Sequence, residues 1–321
     1  MIQSIEQQSA VVGLDEKIAI KSGLLKLAYD VRKIFLDSQK SEGRHILRRE
    51  NGGDPHFKLD EFAEQAVEDF LKTWSLPVAA FSEDRGLISY HDKPKWIFII
   101  DPIDGTRPAL ANFESCCFSA VVTPYAENPK FGDIRFALVL ELKSGDYFYA
   151  DSENKGIYST NKGRLTKNTD TDRMFWSTEL TAHPIRQLAR VYEALIDNSV
   201  TLGAVFVFTS SSYSLTRIVS GQLDAHVDVG HRIAQDDASL IKDFLRVGRG
   251  KLVTLFSYDI AAAAFILLKA GGVVTDAYGK SLENLALITD KSLKGQCSII
   301  AASNKTLHKN IINKLIFGGL K

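Results

Sequence analysis

The chain lacks the features that mark secreted, membrane-bound or zinc-binding proteins. Its 321 residues include only three cysteines, and two of these are adjacent at Cys116 and Cys117, so no disulfide framework and no zinc site is expected. No apolar run approaches the roughly 18 residues that span a bilayer. The acidic N-terminus matches neither a signal peptide nor an anchor. These absences predict a cytoplasmic protein with no membrane partner.

An excess of charge of one sign is also missing. Lys+Arg and Asp+Glu both number 39, so the formal net charge is zero. Such a balance creates no overall field that recruits nucleic acid, and no nucleic-acid partner is expected. The sequence shows no internal repeats, and none of its histidines forms a metal-spaced pair. The remaining composition is that of a globular protein, 45% hydrophobic, with a length that suits one large domain or two moderate halves.

The most informative segment reads WIFIIDPIDGT and covers residues 96–106. Its first part, Trp96–Ile100, carries no charge, which predicts a strand buried on both faces. Pro102 and Gly105 are expected to end this strand in a sharp turn. The polar residues of the segment therefore lie at a strand end, where binding sites are common.

Asp101 and Asp104 lie three residues apart around this turn. Their carboxylates can converge on a hard divalent cation, which requires oxygen ligands, and the backbone carbonyl of Ile103 lies between them as a further ligand. The alternative is an ordinary turn, because Asp and Gly also favour turns for backbone reasons alone.

The string D-P-I-D-G-T at residues 101–106 resembles the signature of the inositol monophosphatase family. These magnesium-dependent, lithium-sensitive sugar phosphatases share a fold with fructose-1,6-bisphosphatase. Three other segments carry the resemblance in the same chain order. Residues 81–84 look like the family's G-E-E segment, residues 58–64 resemble the start of its second helix, and residues 258–276 are similar to its W-D-x-A-A…E-A-G-G-x-x-x-D signature.

The resemblance implies a site that draws on all four segments. The implied ligands of two or three Mg²⁺ ions are Glu83, Asp101, the Ile103 carbonyl, Asp104 and Asp259. The implied catalytic residues are Thr106, which orients the attacking water, and Asp60 and Glu83, toward which the proton passes. The implied substrate-binding residues are Asp104, the amides of Gly105 and Thr106, and Asp228, which falls where the family carries an acid that contacts substrate hydroxyls.

Several of these residues have simpler interpretations. Asp60 can be a favourable charge at a helix N-terminus, and Asp259 can be a capping residue before an Ala-rich helix. The neighbouring glutamates of the Asp60 helix, Glu61, Glu64 and Glu68, are expected on its solvated surface. Arg107, where the family carries Thr or Phe, is either a second anion contact or simply exposed.

The predicted elements indicate a layered α+β or α/β sandwich. Residues 1–170 read as a helix pair on an antiparallel sheet and carry most of the metal ligands. Residues 171–321 alternate strand and helix, as in α/β architectures. The resemblance implies the family fold, in which helix and sheet layers alternate.

The segment near 229–252 is an insertion relative to the family. Within it, acids, a base and a one-sided apolar pattern predict a short amphipathic helix over residues 235–246. Our hypothesis is that this helix lies beside the pocket and sets the substrate range. The alternative is a surface helix or subunit contact away from the site.

Together these patterns predict a Mg²⁺-dependent phosphoric monoester hydrolase. Its substrate is expected to be a small phosphorylated polyol, sugar or nucleotide, with inositol monophosphate first. Fructose-1,6-bisphosphate and 3′-phosphoadenosine 5′-phosphate are the alternatives within this class. An alternative of another class is a metal-binding regulator without turnover. A homodimer is expected.

Overall fold

A computed structural model describes residues 13–38, 46–48 and 56–317 of the chain. The helices are α1 (Leu14–Ser38), α2 (Lys58–Thr73), α3 (Thr106–Leu110), α4 (Ile185–Ser199), α5 (Ser211–Val219), α6 (Gly230–Asp236), α7 (Ile241–Val247), α8 (Ser257–Lys269) and α9 (Lys305–Lys314). The strands are β1 (Ile46–Arg48), β2 (His56–Phe57), β3 (Val78–Ser82), β4 (Gly86–Ser89), β5 (Trp96–Asp104), β6 (Cys117–Pro124), β7 (Phe136–Glu141), β8 (Tyr147–Asp151), β9 (Tyr158–Ser159), β10 (Phe175–Thr178), β11 (Ala204–Phe206), β12 (Ala225–Asp228), β13 (Leu255–Phe256), β14 (Val273–Thr275), β15 (Gln296–Cys297) and β16 (Ile299–Ala302).

Two large sheets form the frame of the molecule. The first has seven strands in the order β4-β3-β5-β6-β7-β8-β9, and the second has five in the order β11-β10-β12-β16-β14. In the first sheet only β3 and β5 pair in parallel, whereas β10 is parallel to both β11 and β12 in the second. The chain also forms the small pairs β1-β2 and β13-β15.

Three apolar clusters separate the layers. One joins α1 and α2 to one face of the seven-stranded sheet, and the second joins its other face to α5, α8 and the five-stranded sheet. The third packs α4, α7 and α9 on the outer face of the five-stranded sheet. In β5, Ile97 and Ile99 enter one cluster while Phe98 and Ile100 enter another. The order helix, sheet, helix, sheet, helix confirms the predicted layered sandwich.

Strand β5 is longer than predicted. It continues through Pro102 to Asp104, because its register against β6 shifts between Asp101, opposite Ser119, and Asp104, opposite Cys117. Three steps on β5 match two on β6, which is a β-bulge, and a bulge also explains how proline sits inside a strand. The sharp turn predicted here is therefore a bulge within the sheet.

The insertion does not form the single helix predicted for residues 235–246. Helix α6 ends at Asp236, and a 3-10 turn follows before α7. The break occurs at Asp237, whose backbone is extended (φ −135°, ψ 95°) and whose side chain accepts from the Ser239 amide. A capping side chain competes with helix continuation, and sequence periodicity alone does not register it. The predicted apolar face is split, since Phe244 is fully buried while Leu245 is 37% exposed.

The boundary predicted between the two halves at residue 170 stays an interpretation. Much of the segment between the first two predicted helices, residues 39–45 and 49–55, lies outside the described residues. None of the helices in the described part of the chain combines the length and apolar character needed to cross a bilayer.

Candidate active site

A single cavity is lined by every residue that the sequence singled out for the site. These residues are Asp60, Glu83, Asp101, Ile103, Asp104, Gly105, Thr106, Asp228 and Asp259. They come from α2, the ends of β3 and β5, the start of α3, β12 and α8. Both sheets contribute through the carboxyl ends of parallel strands, the edge at which α/β folds place ligands. The roles assigned to these residues remain predictions, but their convergence is a feature of the fold.

Four of these side chains form what we call the carboxylate cluster: Glu83, Asp101, Asp104 and Asp259. The bulge in β5 turns Asp101 so that its Oδ1 accepts from the Ile103 amide at 3.0 Å. Oδ2 of Asp259 accepts from the Phe256 amide at 2.8 Å, closing the first turn of α8. The second oxygen of Asp101 and of Asp259 makes no hydrogen bond within the described residues. Each therefore keeps one oxygen for a ligand.

Asp104 is held by the start of α5. Its Oδ2 accepts from the Ser210 hydroxyl at 2.8 Å and from the Ser212 amide at 2.6 Å. Ser210 is the N-cap of this helix and also accepts from the Tyr213 amide. The helix thus fixes a carboxylate of the other sheet at its N-terminus, where negative charge is stabilised.

The cluster is electrostatically unfavourable without a cation. Burial, and then the charges of Asp104, Asp259 and Glu83, raise the pKa of Asp101 well above its usual value. Burial followed by the charges of Asp104 and Glu83 does the same for the pKa of Asp259. Burial raises the pKa of Asp104 to about 6, although hydrogen bonds from Ser212 and Ser210 oppose the shift. Charges of one sign held together in this way are stabilised by a bound metal ion.

The donor set fits Mg²⁺ in its chemistry, since it consists of carboxylate and carbonyl oxygens. Among the described residues, no three His, Cys, Asp or Glu side chains stand close enough around one point to hold an ion as placed. Glu83 is the exposed member and its Oε1 lies 3.8 Å from Lys291 Nζ. The set therefore meets the chemical requirement for Mg²⁺, and its use as a metal site is a proposal.

Thr106 connects the cluster to α2. Its hydroxyl lies 3.1 Å from Asp60 Oδ1 and 3.3 Å from the Ile103 carbonyl oxygen, so it can donate to either acceptor. The preceding Gly105 has φ 91°, and a Cβ there would lie 2.5 Å from the Ser115 carbonyl oxygen. Only glycine fits this position, because both the backbone conformation and the neighbouring backbone exclude a side chain.

Glu64 corrects one sequence expectation. It is buried rather than solvated, and its Oε2 accepts from the Ser82 hydroxyl at 2.9 Å. Burial raises its pKa to about 7. Glu64 lies one helical turn after Asp60 on α2, so the i,i+4 spacing was the signal that both face the same cavity. Glu61 is exposed, as expected.

The same cavity is also lined by what we call the C-terminal wall, formed by Glu179, His183, Thr209 and Asp228. Asp228 Oδ1 lies 3.4 Å from His183 Nε2, and both side chains are buried. Sequence reasoning found Asp228 but missed Glu179 and His183. They lie in the loop after β10, and only the parallel pairing of β10 with β12 reveals that this loop borders the site.

Comparisons with known proteins agree with the predicted family and fold. Residues 13–317 match the model of the inositol monophosphatase family. A fructose-1,6-bisphosphatase/inositol-1-monophosphatase of Methanothermobacter thermautotrophicus is 26% identical over 282 residues, which cover 84% of this chain and 86% of the relative. A bifunctional NADP phosphatase/NAD kinase of Methanococcus maripaludis is 24% identical over 92% of this chain and 49% of the relative. The suhB structure from Bartonella henselae superposes with a TM-score of 0.72 at 15% identity, covering 94% of this chain and 99% of that one.

Proposed function

The chain belongs to the inositol monophosphatase family, and we propose that this metal-dependent phosphatase hydrolyses a small phosphorylated polyol, sugar or nucleotide. Inositol monophosphate is the first candidate substrate. The observation that carries the proposal is the carboxylate cluster, whose raised pKa values at Asp101, Asp104 and Asp259 are explained by a site that functions with cations bound. The proposal includes two or three Mg²⁺ ions for each site, a cytoplasmic location and a homodimer.

The metal site would use the carboxylates of Glu83, Asp101, Asp104 and Asp259 with the Ile103 carbonyl. Bound Mg²⁺ supplies neutralisation of the phosphate oxygens and a lowered pKa for the attacking water. The chain's own residues then have separate tasks. One oxygen of Asp101 and one of Asp259 is held by a backbone amide. The other oxygen of each carboxylate is then left to bind the metal. The amides of Gly105 and Thr106 border the same cavity and are proposed to bind the phosphate.

Thr106 and Asp60 would orient the nucleophile. When the Thr106 hydroxyl donates to Asp60 Oδ1, its oxygen accepts a hydrogen bond from the attacking water. The proton of the water can then pass to Thr106 while the Thr106 proton passes to Asp60. Such positioned proton transfer contributes roughly 10²–10⁴-fold to rate.

A bisphosphate is the second candidate substrate. Arg107, Lys251 and Lys291 all line the cavity beside its carboxylates, and cationic side chains favour a further anionic group on the substrate. Fructose-1,6-bisphosphate and 3′-phosphoadenosine 5′-phosphate carry such a group. The names of the archaeal relatives include fructose-1,6-bisphosphatase and NADP phosphatase activities.

Phosphate release from a substrate panel tests these proposals. The purified protein is assayed with inositol 1-phosphate, fructose-1,6-bisphosphate and 3′-phosphoadenosine 5′-phosphate, with Mg²⁺ and with excess EDTA. We expect Mg²⁺-dependent release, highest for inositol 1-phosphate. Full activity in EDTA contradicts the metal mechanism, and no release from any phosphomonoester supports the regulator instead. Light scattering after size exclusion tests the homodimer.

A further inference from the structure

Two acidic side chains of the C-terminal wall stand next to each other because of strand register. Strands β10 and β12 are parallel, and Thr178 pairs with Val227. The residues that follow, Glu179 and Asp228, therefore lie side by side at the carboxyl ends of neighbouring strands. Both border the cavity. In parallel sheets this edge is where ligands bind.

Glu179 has an unexplained polar atom. Its side chain is 7% exposed, and its Oε1 is buried without a hydrogen-bond partner among the described residues. The carboxyl group accepts from the Ser210 amide, which fixes its direction. An unsatisfied buried polar atom destabilises the folded state, because it has lost its hydrogen bonds to water without replacement. The unpaired Oε1 of Glu179 is explained if a ligand in the cavity donates a hydrogen bond to it.

Asp228 is fixed in place but not saturated. Its Oδ1 accepts from the Gly230 amide at 3.0 Å and faces His183 Nε2. Its Oδ2 makes no hydrogen bond within the described part of the chain. Burial alone would raise the pKa of Asp228, but the nearby charge of His183 lowers that pKa below the usual value.

The position of the His183 ring is fixed by contacts with Thr181 and Phe244. Its Nδ1 bonds to the Thr181 carbonyl, and its ring packs edge-on against Phe244 of α7, with ring centroids 6.0 Å apart. Gly230 leaves the necessary space, because a Cβ there would lie 1.9 Å from His183 Nε2. The insertion thus supports the wall through Phe244.

We propose that Glu179 is a further substrate-binding residue: beside Asp228, which the resemblance implies contacts substrate hydroxyls, Glu179 binds a neighbouring hydroxyl on the alcohol part of the substrate. The inference rests on the proposed function and narrows its substrate class. Each hydroxyl has one hydrogen to donate, so two neighbouring hydroxyls can donate one each to Glu179 and to Asp228 Oδ2. A second phosphate would instead face the charge of Asp228, which disfavours it at this wall.

The test compares two substrates that differ only in their hydroxyls. Inositol 1-phosphate and cyclohexyl phosphate share the ring and the phosphate. We expect wild-type kcat/KM to be on the order of a hundredfold higher for inositol 1-phosphate, because a site that binds hydroxyls rejects the analogue without them. Equal kcat/KM for the two substrates overturns the proposed hydroxyl binding. No hydrolysis of either substrate or of the bisphosphates overturns the proposed function itself.

Two variants assign the preference to Glu179. Glu179→Met removes the carboxyl group at similar size and should lower the ratio of the two kcat/KM values by roughly tenfold. Glu179→Gln keeps a donor and an acceptor and should give an intermediate ratio. Glu193→Met, at an exposed position of α4, is the matched control and should leave the ratio at the wild-type value. A folded Glu179→Met protein with the wild-type ratio contradicts the proposal. If that variant fails to fold, Glu179→Gln decides it, because a wild-type ratio in the folded Gln variant contradicts the expected decrease.

Discussion

The two sides of the cavity hold buried aspartates in opposite electrostatic states. In the carboxylate cluster, the pKa values of Asp101 and Asp259 are raised by burial and by neighbouring acids. On the C-terminal wall, Asp228 is as deeply buried, yet its pKa is lowered because His183 supplies a positive partner. Burial therefore does not decide the charge state of these residues. The carboxylate cluster needs a cation from outside the chain, whereas on the C-terminal wall His183 supplies the positive charge.

The backbone differs between the two sides in a similar way. Both place a residue with positive φ at the cavity, Gly105 at 91° and Thr209 at 54°. Glycine adopts this conformation without strain, but a β-branched residue there is an outlier. Beside the carboxylate cluster the positive φ is therefore adopted by glycine without strain, whereas the C-terminal wall has a strained threonine next to Ser210.

The largest effect is expected from removing one charge of the cluster. Asp101→Asn should lower kcat on the order of 10³-fold or more, because the variant loses part of the electrostatic stabilisation that bound metal provides. The fold should persist, since the change relieves repulsion. Phosphate release measures the rate, and calorimetric titration measures the binding of Mg²⁺. The exposed Asp197→Asn is the control. Unchanged activity would remove this residue from the metal site.

Substitution of Thr106 tests its proposed role in orienting the attacking water. Thr106→Ala should lower kcat by roughly 10²–10⁴-fold with little change in KM, because the lost interaction is made mainly in the transition state. Thr106→Ser, which keeps the hydroxyl, should recover most of the rate. A large rise in KM with kcat preserved would assign Thr106 to binding instead.

Phe244 tests whether the insertion supports the wall. Phe244→Ala should lower the free energy of unfolding by about 3–5 kcal/mol and raise KM for inositol 1-phosphate, because His183 loses its packing partner. The control is Leu245→Ala on the same helix, at a position that is 37% exposed. Denaturant unfolding and steady-state kinetics give the two readouts. If the stability falls but the relative rates on different substrates stay the same, the insertion does not set the substrate range.

The pH dependence of stability tests the repulsion within the carboxylate cluster without mutation. Asp104 has a pKa raised from 3.8 to about 6, so the folded metal-free protein binds more protons than the unfolded chain in this range. The contribution of Asp104 to stability should be complete below about pH 4 and should be lost as the pH rises through 6, by up to about 3 kcal/mol. Asp101 and Asp259 act in the same direction.

Urea unfolding in EDTA at pH 5 and pH 8 measures this decline, and Mg²⁺ should reverse it at pH 8. A stability that rises with pH in EDTA would mean that the cluster is not repulsive in solution.

The smallest effect is expected at Thr209. Thr209→Gly should raise the free energy of unfolding by about 1 kcal/mol or less, because relief of strain slightly exceeds the entropic cost of glycine. Arg249→Gly, at an exposed turn with φ 53°, is the control for strain relief away from the wall. Only the Thr209 variant should also alter kcat/KM for inositol 1-phosphate. Destabilisation by more than 1 kcal/mol would show that the threonine side chain is needed for packing.

The sequence by itself determined the layered fold, and it singled out the acidic residues of the carboxylate cluster that the structure brings to one cavity. Asp101, Ile103, Asp104 and Thr106 are close in the chain, so a short motif records their geometry. The apolar run before them fixed β5 as a strand buried on both faces, and the resemblance placed Glu83 and Asp259 beside it.

Only the tertiary structure decided the rest of the cavity. The burial of Glu64 depends on Ser82 of another element, the break in the insertion depends on a local cap at Asp237, and Glu179 meets Asp228 through strand register. Each outcome depends on contacts between residues far apart in the chain or on backbone capping. Hydrophobic periodicity predicts neither of these. The lowered pKa of Asp228 could not be predicted from the sequence either, because His183 comes close to Asp228 only when β10 and β12 pair.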